Sequence, residues 1–143
     1  AVACEEARQP SFTDYTKSVI DNARVLSEVL VGAGSDLVSG GTDNHLMLID
    51  LSSKGITGKN AEALLGMADI TANKNMVPFD TKSPFVTSGI RLGTAAVTTR
   101  GFGEKEMVQI ASWIDRVLSQ GEQEVVKVKT EVHALAQSFP LHA

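Results

Sequence analysis

Residues 73–102 constrain the fold of this chain more than any other stretch. Within them, residues 85–94 have strand character, with a polar, proline-containing loop before them and a Gly-Phe-Gly turn after them. This run carries one charge, Arg91, between Ile90 and Leu92. An apolar strand of this kind has to be covered by other elements, so the rest of the chain is predicted to pack around it.

Arg91 is the first candidate functional residue. Burying a lone guanidinium is costly unless it meets an anion, and its fork of donors matches the two oxygens of a carboxylate. The residues therefore predict a site that binds a small carboxylate. The alternative is an internal ion pair with an acidic residue such as Asp50, since structural ion pairs outnumber ligand clamps. The residues alone leave both interpretations open.

Apolar residues at spacings of three and four predict four main helices, with the first ending near Gly32 and Gly34 and Gly121 separating the last two. Residues 37–41 and 45–51 read as two strands, and their short connection favours an antiparallel pair. The second is apolar at almost every position, so both of its faces are expected to be covered. A third extended piece is predicted at residues 70–72. The predicted class is α+β, a small antiparallel sheet covered by helices.

Length and composition place the chain among single soluble globular domains. It has 143 residues, 43% hydrophobic and 21% charged, and a formal net charge of −4. The absence of a basic cluster argues against nucleic acid or an anionic membrane as a partner. Cys4 is the single cysteine, so no internal disulfide can form.

Neither metal-binding nor catalytic spacing is found in the sequence. The three histidines, His45, His133 and His142, do not group with each other or with Cys4 at the spacing of metal ligands. We interpret His45, in an apolar strand, as a hydrogen-bonded structural residue. No serine lies in a nucleophile elbow, and Gly55–Lys59 lacks the full pattern of a phosphate loop. We therefore predict no metal site and no catalytic residue in this chain.

Two longer segments identify a family resemblance. Residues 39–46, SGGTDNHL, and residues 83–91, SPFVTSGIR, resemble segments of serine hydroxymethyltransferase, and Asn73-Lys-Asn75 matches as well. The resemblance extends through the whole chain and is looser in the last helices. Two positions depart from it, because Ala95 stands where many members have proline and Thr99 where many have a second arginine.

The resemblance implies a pyridoxal-phosphate enzyme of the aspartate-aminotransferase fold type (fold type I) that interconverts serine plus tetrahydrofolate with glycine plus methylenetetrahydrofolate. Residues 1–143 would be its C-terminal small domain, with residues 1–10 the end of a helix from a missing large domain. Neither Lys74 nor Lys82 matches the motif of the family's Schiff-base lysine. We therefore expect the missing domain to bind pyridoxal 5'-phosphate, and the chain alone to be inactive.

The resemblance also assigns the binding residues. Arg91 would hold the carboxylate of serine or glycine, and the folate-binding residues would be Asn75, Ser83, Pro84 and Phe85. The parent protein would be a cytoplasmic homodimer or tetramer that acts in one-carbon metabolism and glycine biosynthesis, without a nucleic-acid or membrane partner. The alternatives are an isolated, non-catalytic binding or assembly domain, and a related pyridoxal-phosphate enzyme with a changed substrate.

Overall fold

The computed structural model describes residues 1–141 and shows an antiparallel sheet packed against α-helices. In chain order the elements are α1 (Val2–Glu6), α2 (Pro10–Gly32), β1 (Asp36–Leu37), β2 (Leu46–Asp50), α3 (Gly58–Met67), β3 (Asn73–Asn75), β4 (Gly89–Gly93), α4 (Ala95–Thr99), α5 (Glu104–Gln120) and α6 (Glu122–Gln137). Short 3₁₀ turns lie at Val38–Gly40 and Ser52–Lys54. The predicted α+β class is confirmed.

The sheet has four strands in the order β1-β2-β4-β3, and every neighbouring pair is antiparallel. Its centre is the β2–β4 ladder, in which Ile49 lies opposite Ile90 and Leu48 lies opposite Arg91. Because side chains alternate between the two faces of a strand, this register sends Ile49 and Ile90 to one face and Leu48 and Arg91 to the other.

One face of the sheet forms the core with the helices. Met47, Ile49, Ile90 and Leu92 are buried there. They join the buried side chains of α2, α3, α5 and α6, which include Leu26, Leu30, Leu65, Met107, Trp113, Ile114, Val117 and Val128. The opposite face is not covered within residues 1–141: Leu46 is exposed and Leu48 is half-buried. The expectation that both faces of β2 are covered is therefore wrong for the part of the chain described.

The strands are shorter than the sequence pattern predicts. Residues 37–41 contribute only the end of β1, because Ser39 and Gly40 take left-handed backbone angles and turn the chain into a 3₁₀ turn. Within residues 85–94 the strand begins only at Gly89, because Thr87, with φ of 57°, also interrupts the extended chain. The extended piece expected at residues 70–72 lies three residues later, in β3.

The helical predictions are confirmed for α2, α3, α5 and α6. The first ends at Gly32, just before Gly34 with φ of 84°, and Gly121 with φ of 66° separates the last two. Thr57 caps α3, since its Oγ1 accepts the backbone N–H of Asn60 at 3.2 Å.

The last two helices are held together by a half-buried ion-pair network. Arg116 on α5 donates to Glu124 and Glu131 on α6, and Trp113 Nε1 also donates to Glu131, at 2.6 Å. Charge-assisted bonds between the two helices add geometric specificity to their apolar contact.

The end of α6 is tied to the segment that follows β4. Arg100 donates to the carbonyl oxygens of Ala136 at 2.7 Å and Phe139 at 2.6 Å. A cation here satisfies carbonyl groups that a helix leaves free at its C-terminus and complements its dipole. The rings of Phe102 and Phe139 pack beside it, with centroids 4.7 Å apart.

Two glycines of α3 are predicted to respond to alanine in opposite directions. A Cβ at Gly58 would overlap Thr87 Oγ1 and the carbonyl oxygen of Gly89, whereas a Cβ at Gly66 has nothing within 4 Å. Gly58→Ala should destabilise the chain by about 3 kcal/mol through overpacking, and Gly66→Ala should stabilise it by about 0.5–1 kcal/mol through helix propensity. Urea unfolding of both variants measures the difference, and equal effects would contradict the close packing of α3 on this turn.

Candidate functional site

Arg91 lies on the uncovered face of the sheet, where the sequence analysis expected it to be buried. Its neighbours in β4, Ile90 and Leu92, point into the core, whereas Arg91 itself is exposed. Gly89 and Gly93 are two residues away on either side and therefore share its face. Arg91 is thus the one side chain that β4 presents on this face. Gly93 is exposed on one side of it, whereas Gly89 on the other side is buried, with Val77 packed nearby. The expected burial of Arg91 is wrong.

The internal ion pair considered as an alternative does not form within residues 1–141. No acidic side chain there pairs with Arg91. Asp50, which lies on the same face of β2, instead accepts the backbone N–H of Ser52 at 2.8 Å. Arg91 therefore presents a guanidinium that the described residues leave without an anion.

A polar cleft of about 490 Å³ lies beside Arg91. Its other walls are Leu46, Leu48 and the turn of residues 38–44. Side-chain bonds fix this turn: Thr42 Oγ1 accepts the N–H of Asn44, and Asn44 Oδ1 accepts the N–H of Leu46 at 2.8 Å. Because the turn is shaped by its own side chains, the cleft is preformed next to the free guanidinium.

Asn75 shares the uncovered face with Arg91. In the β3–β4 register Asn73 lies opposite Arg91, and Asn75 lies opposite Gly89. Arg91 and Asn75 are therefore diagonal neighbours, a relation that places Cα atoms about 7–8 Å apart in antiparallel sheets. The side-chain NH₂ of Asn75 donates to the backbone carbonyl oxygen of Met76 at 2.7 Å. The side-chain oxygen, Oδ1, has no hydrogen-bond partner within residues 1–141.

Ser83, Pro84 and Phe85 form the exposed tip of the loop that joins β3 to β4. The backbone carbonyl oxygen of Ser83 closes the tip, because it accepts the backbone N–H groups of Val86 at 3.0 Å and Thr87 at 2.9 Å. The ring of Phe85 is 83% exposed. An aromatic ring held in the open on a closed turn is suited to packing against a planar ligand or another surface.

The amino end of α3 supports this turn from behind. The N–H groups of Gly58 and Lys59 donate to the carbonyl oxygens of Thr87 and Val86, at 3.1 and 3.0 Å. Two donors that a helix leaves free at its first turn thereby find partners in the loop. The helix thus supports the loop that carries three of the predicted folate-binding residues.

Asp80 is the residue of this region that sequence reasoning missed. It lies in the β3–β4 loop, half-buried, and accepts the backbone N–H groups of Val77, Lys82 and Ser88 as well as the hydroxyl of Ser88. These donors, first of all the N–H of Lys82, lower the pKa of the Asp80 carboxyl to about 2. Nothing in the local sequence indicates that these donors converge on one carboxylate.

Residues 1–141 do not group side chains as a metal site requires. No group of three or more His, Cys, Asp and Glu side chains in residues 1–141 is placed to hold a metal ion. His133 bonds Asp69 at 2.5 Å, and the exposed side chain of His45 makes no hydrogen bond in this part of the chain, so its predicted structural role is wrong. His142 lies outside the described residues.

Comparison with known proteins gives the family. The sequence matches the profile described as serine hydroxymethyltransferase over residues 1–114. The chain belongs to the serine hydroxymethyltransferase family. It is 54% identical over 145 residues to the serine hydroxymethyltransferase of Legionella pneumophila (strain Corby), and 55% identical over 151 residues to that of Methylorubrum extorquens (strain PA1).

These alignments cover all of this chain and 35% of each relative, so the chain spans about a third of the length of the curated relatives it matches. The family profile covers the positions of the predicted binding residues, namely Arg91, Asn75 and residues 83–85. None of the helices described in residues 1–141 is both long enough and apolar enough to cross a membrane.

We expect Phe79→Asn to stabilise the chain. Asp80 N–H bonds the carbonyl oxygen of Val77 at 3.0 Å, and Phe79 has φ of 59° in the turn between them. This is a type II turn, in which the third position favours glycine or asparagine, and the Phe79 ring is fully exposed, so no packing is lost. Thermal unfolding should show a gain of about 1 kcal/mol.

Phe85→Asn is the matched control for Phe79→Asn, because Phe85 is also largely exposed in the same loop but lies outside the left-handed region. It should leave the stability unchanged. Equal effects of the two substitutions would show that backbone strain at Phe79 does not limit the stability of the loop.

The Asp80 network predicts an acid transition confined to the loop. Since the pKa of Asp80 falls from 3.8 to about 2 on folding, its stabilisation is complete above pH 3.8 and is lost as the pH falls through about 2. The NMR shift of the Ser88 amide should therefore titrate with a midpoint near 2, and Asp80→Asn should abolish that titration. A midpoint near 3.8 would mean that the carboxylate does not hold these donors in solution.

Proposed function

We propose that this chain is the C-terminal small domain of a pyridoxal-phosphate-dependent serine hydroxymethyltransferase of fold type I. The full-length protein would interconvert serine plus tetrahydrofolate with glycine plus methylenetetrahydrofolate, as a cytoplasmic homodimer or tetramer. Family membership and the 35% coverage of full-length relatives support this division of the protein. In this proposal, the chain supplies the carboxylate clamp and one wall of the folate site.

The observation that carries the proposal is the state of Arg91. It is exposed, has no acidic partner within residues 1–141, and lies beside the exposed Gly93 on the face of the sheet that points away from the helices. A guanidinium in this setting can bind both oxygens of an amino-acid carboxylate without competing side chains on its strand. Holding that group fixes the orientation of the rest of the substrate, and orientation supplies a large part of many rate enhancements.

The folate side of the site would be formed by Asn75, Ser83, Pro84 and Phe85. The side-chain carbonyl oxygen of Asn75 has no hydrogen-bond partner within residues 1–141, and Asn75 lies on the same face of the sheet as Arg91. Both residues can therefore contact one ligand. Phe85 offers an exposed ring that can stack on a planar heterocycle. Ser83 and Pro84 fix the turn on which that ring is carried.

The described residues do not fit pyridoxal phosphate. Lys74 pairs with Glu62 at 3.1 Å, and Lys82 donates to Ser88 at 2.9 Å, so the two lysines of this region are already engaged. We assign the cofactor to the part of the protein outside this chain, and the role of the chain is to bind and orient substrates.

Arg91→Ala separates a functional role from a structural one. In the 143-residue chain it should change the free energy of unfolding by less than about 0.5 kcal/mol, because an exposed, unpaired side chain is removed. In the full-length protein it should raise the KM for serine by roughly 100-fold, because hydrogen bonds to a charged group contribute about 1.5–3 kcal/mol each. Arg91→Lys should recover only part of this loss, since it keeps the charge but not the fork.

Arg24→Ala is the control, because Arg24 is an exposed arginine on α2 in a surface pair with Asp21. It should leave the KM for serine unchanged. Near-normal serine binding by full-length Arg91→Ala would remove the clamp assignment.

Calorimetry of the 143-residue chain tests the stand-alone alternative. We expect no tight binding of glycine or a reduced folate, since the other walls of both pockets would lie outside the chain. Tight binding by the chain alone would favour an independent binding domain.

A further inference from the structure

The carboxylate of Asp80 is saturated by donors from its own loop. Oδ1 accepts the N–H of Lys82 and the hydroxyl of Ser88, at 2.9 and 2.8 Å. Oδ2 accepts the N–H of Ser88 at 2.8 Å and the N–H of Val77 at 3.3 Å. Each oxygen thus accepts from two donors. An asparagine at this position would replace one of these oxygens with an NH₂ group, which cannot accept a hydrogen bond and would face two donors.

These four bonds span the whole loop. Val77 lies just after β3, Lys82 lies just before the exposed tip, and Ser88 lies just before β4. Lys82 Nζ also donates to the hydroxyl of Ser88, so the chain entering the tip is tied to the chain leaving it. The β3–β4 ladder pairs the two ends of the loop, and one side chain joins three positions of the loop beyond that ladder.

The loop contains two strained residues that need such support. Phe79 and Thr87 have φ of 59° and 57°, in the left-handed region that residues with bulky or branched side chains rarely adopt. Strained backbone persists only where the surrounding contacts over-determine it. Asp80, the residue after Phe79, accepts the N–H of Val77 and the N–H of Ser88, the residue after Thr87. The amino end of α3 holds Val86 and Thr87 from the other side.

We propose that Asp80 is a positioning residue for the folate side of the site. By joining Val77, Lys82 and Ser88 through one carboxylate, it would fix the Ser83–Phe85 tip relative to Asn75 before the pterin ring arrives. This inference rests on the proposed function and adds to it a residue that does not itself touch the ligand.

The geometry separates this role from the binding of the amino acid. Arg91 lies in the middle of β4, whose backbone pairs with β2 on one side and β3 on the other. That ladder does not include any of the four bonds of Asp80. Loss of the Asp80 network should therefore move the tip and leave Arg91 in place.

Asp80→Asn in the full-length protein tests the proposal. This nearly isosteric change should raise the KM for tetrahydrofolate by about tenfold or more, since small displacements of a positioned group have large effects, while the KM for serine changes less than about twofold. Steady-state kinetics with each substrate varied in turn gives both values. Calorimetric titration with a reduced folate should show the same loss of affinity.

Glu131→Gln is the matched control. Glu131 is also a carboxylate that accepts several donors, from Trp113 and Arg116, but it lies in the α5–α6 pair rather than in the loop. Its substitution should lower the stability and leave both KM values unchanged. If Asp80→Asn raised both KM values equally, or raised neither, Asp80 would have only a structural role and the proposal would be wrong.

Ser88→Ala provides a second test if Asp80→Asn does not fold. It removes the hydroxyl that bonds Asp80 and Lys82 but keeps the Ser88 N–H bond, so a smaller rise in the folate KM is expected. An unchanged folate KM in this variant would overturn the proposal. The unsubstituted full-length protein distinguishes failure of the Asp80 proposal from failure of the proposed function. If it does not transfer a hydroxymethyl group between serine and tetrahydrofolate, the proposed function itself is wrong.

Discussion

The antiparallel ladder between β2 and β4 is the interaction on which the remaining structure depends. It pairs five residues of each strand, and its register determines which side chains enter the core and which reach the uncovered face. Ile49 and Ile90 meet the helices, while Leu48 and Arg91 face away from them. A slip by one residue would exchange these roles, burying the guanidinium and exposing the aliphatic core of the sheet. Folding and the presentation of Arg91 therefore rest on the same backbone hydrogen bonds.

The loop between β3 and β4 is held in place by side-chain and helix-end hydrogen bonds rather than by strand pairing. An irregular segment has no ladder of its own, so its backbone groups need other partners. Here the partners come from two sources: the amino end of α3, which donates to Val86 and Thr87, and the Asp80 carboxylate, which accepts from three positions along the loop. A segment fixed in this way can hold exposed groups such as the Phe85 ring in a defined place although no regular structure surrounds them.

Patterns of period two and 3.6 were sufficient to predict the α+β class, the antiparallel sheet and the four longer helices, because these features follow from the alternation of apolar residues. They failed where backbone angles interrupt a strand, as at Ser39 and Thr87, since neither residue is a usual left-handed former. The exposure of Arg91 was missed although the alternation Gly-Ile-Arg-Leu-Gly already places Arg91 on the face of the two glycines. The role of Asp80 depends on donors brought together by tertiary folding, and sequence spacing does not show it.

The two glycines beside Arg91 differ in how readily another residue could replace them. A Cβ at Gly89 would come within 2.7 Å of the Ile49 carbonyl oxygen, and one at Gly93 within 2.9 Å of Leu46 Cδ2. Substitution at Gly89 is therefore opposed by the packing of the sheet, independently of any ligand, whereas at Gly93 the exposed Leu46 side chain can move aside. A molecule resting on this face of β4 would therefore meet the guanidinium of Arg91 and the exposed backbone of Gly93, with Val77 limiting access at Gly89.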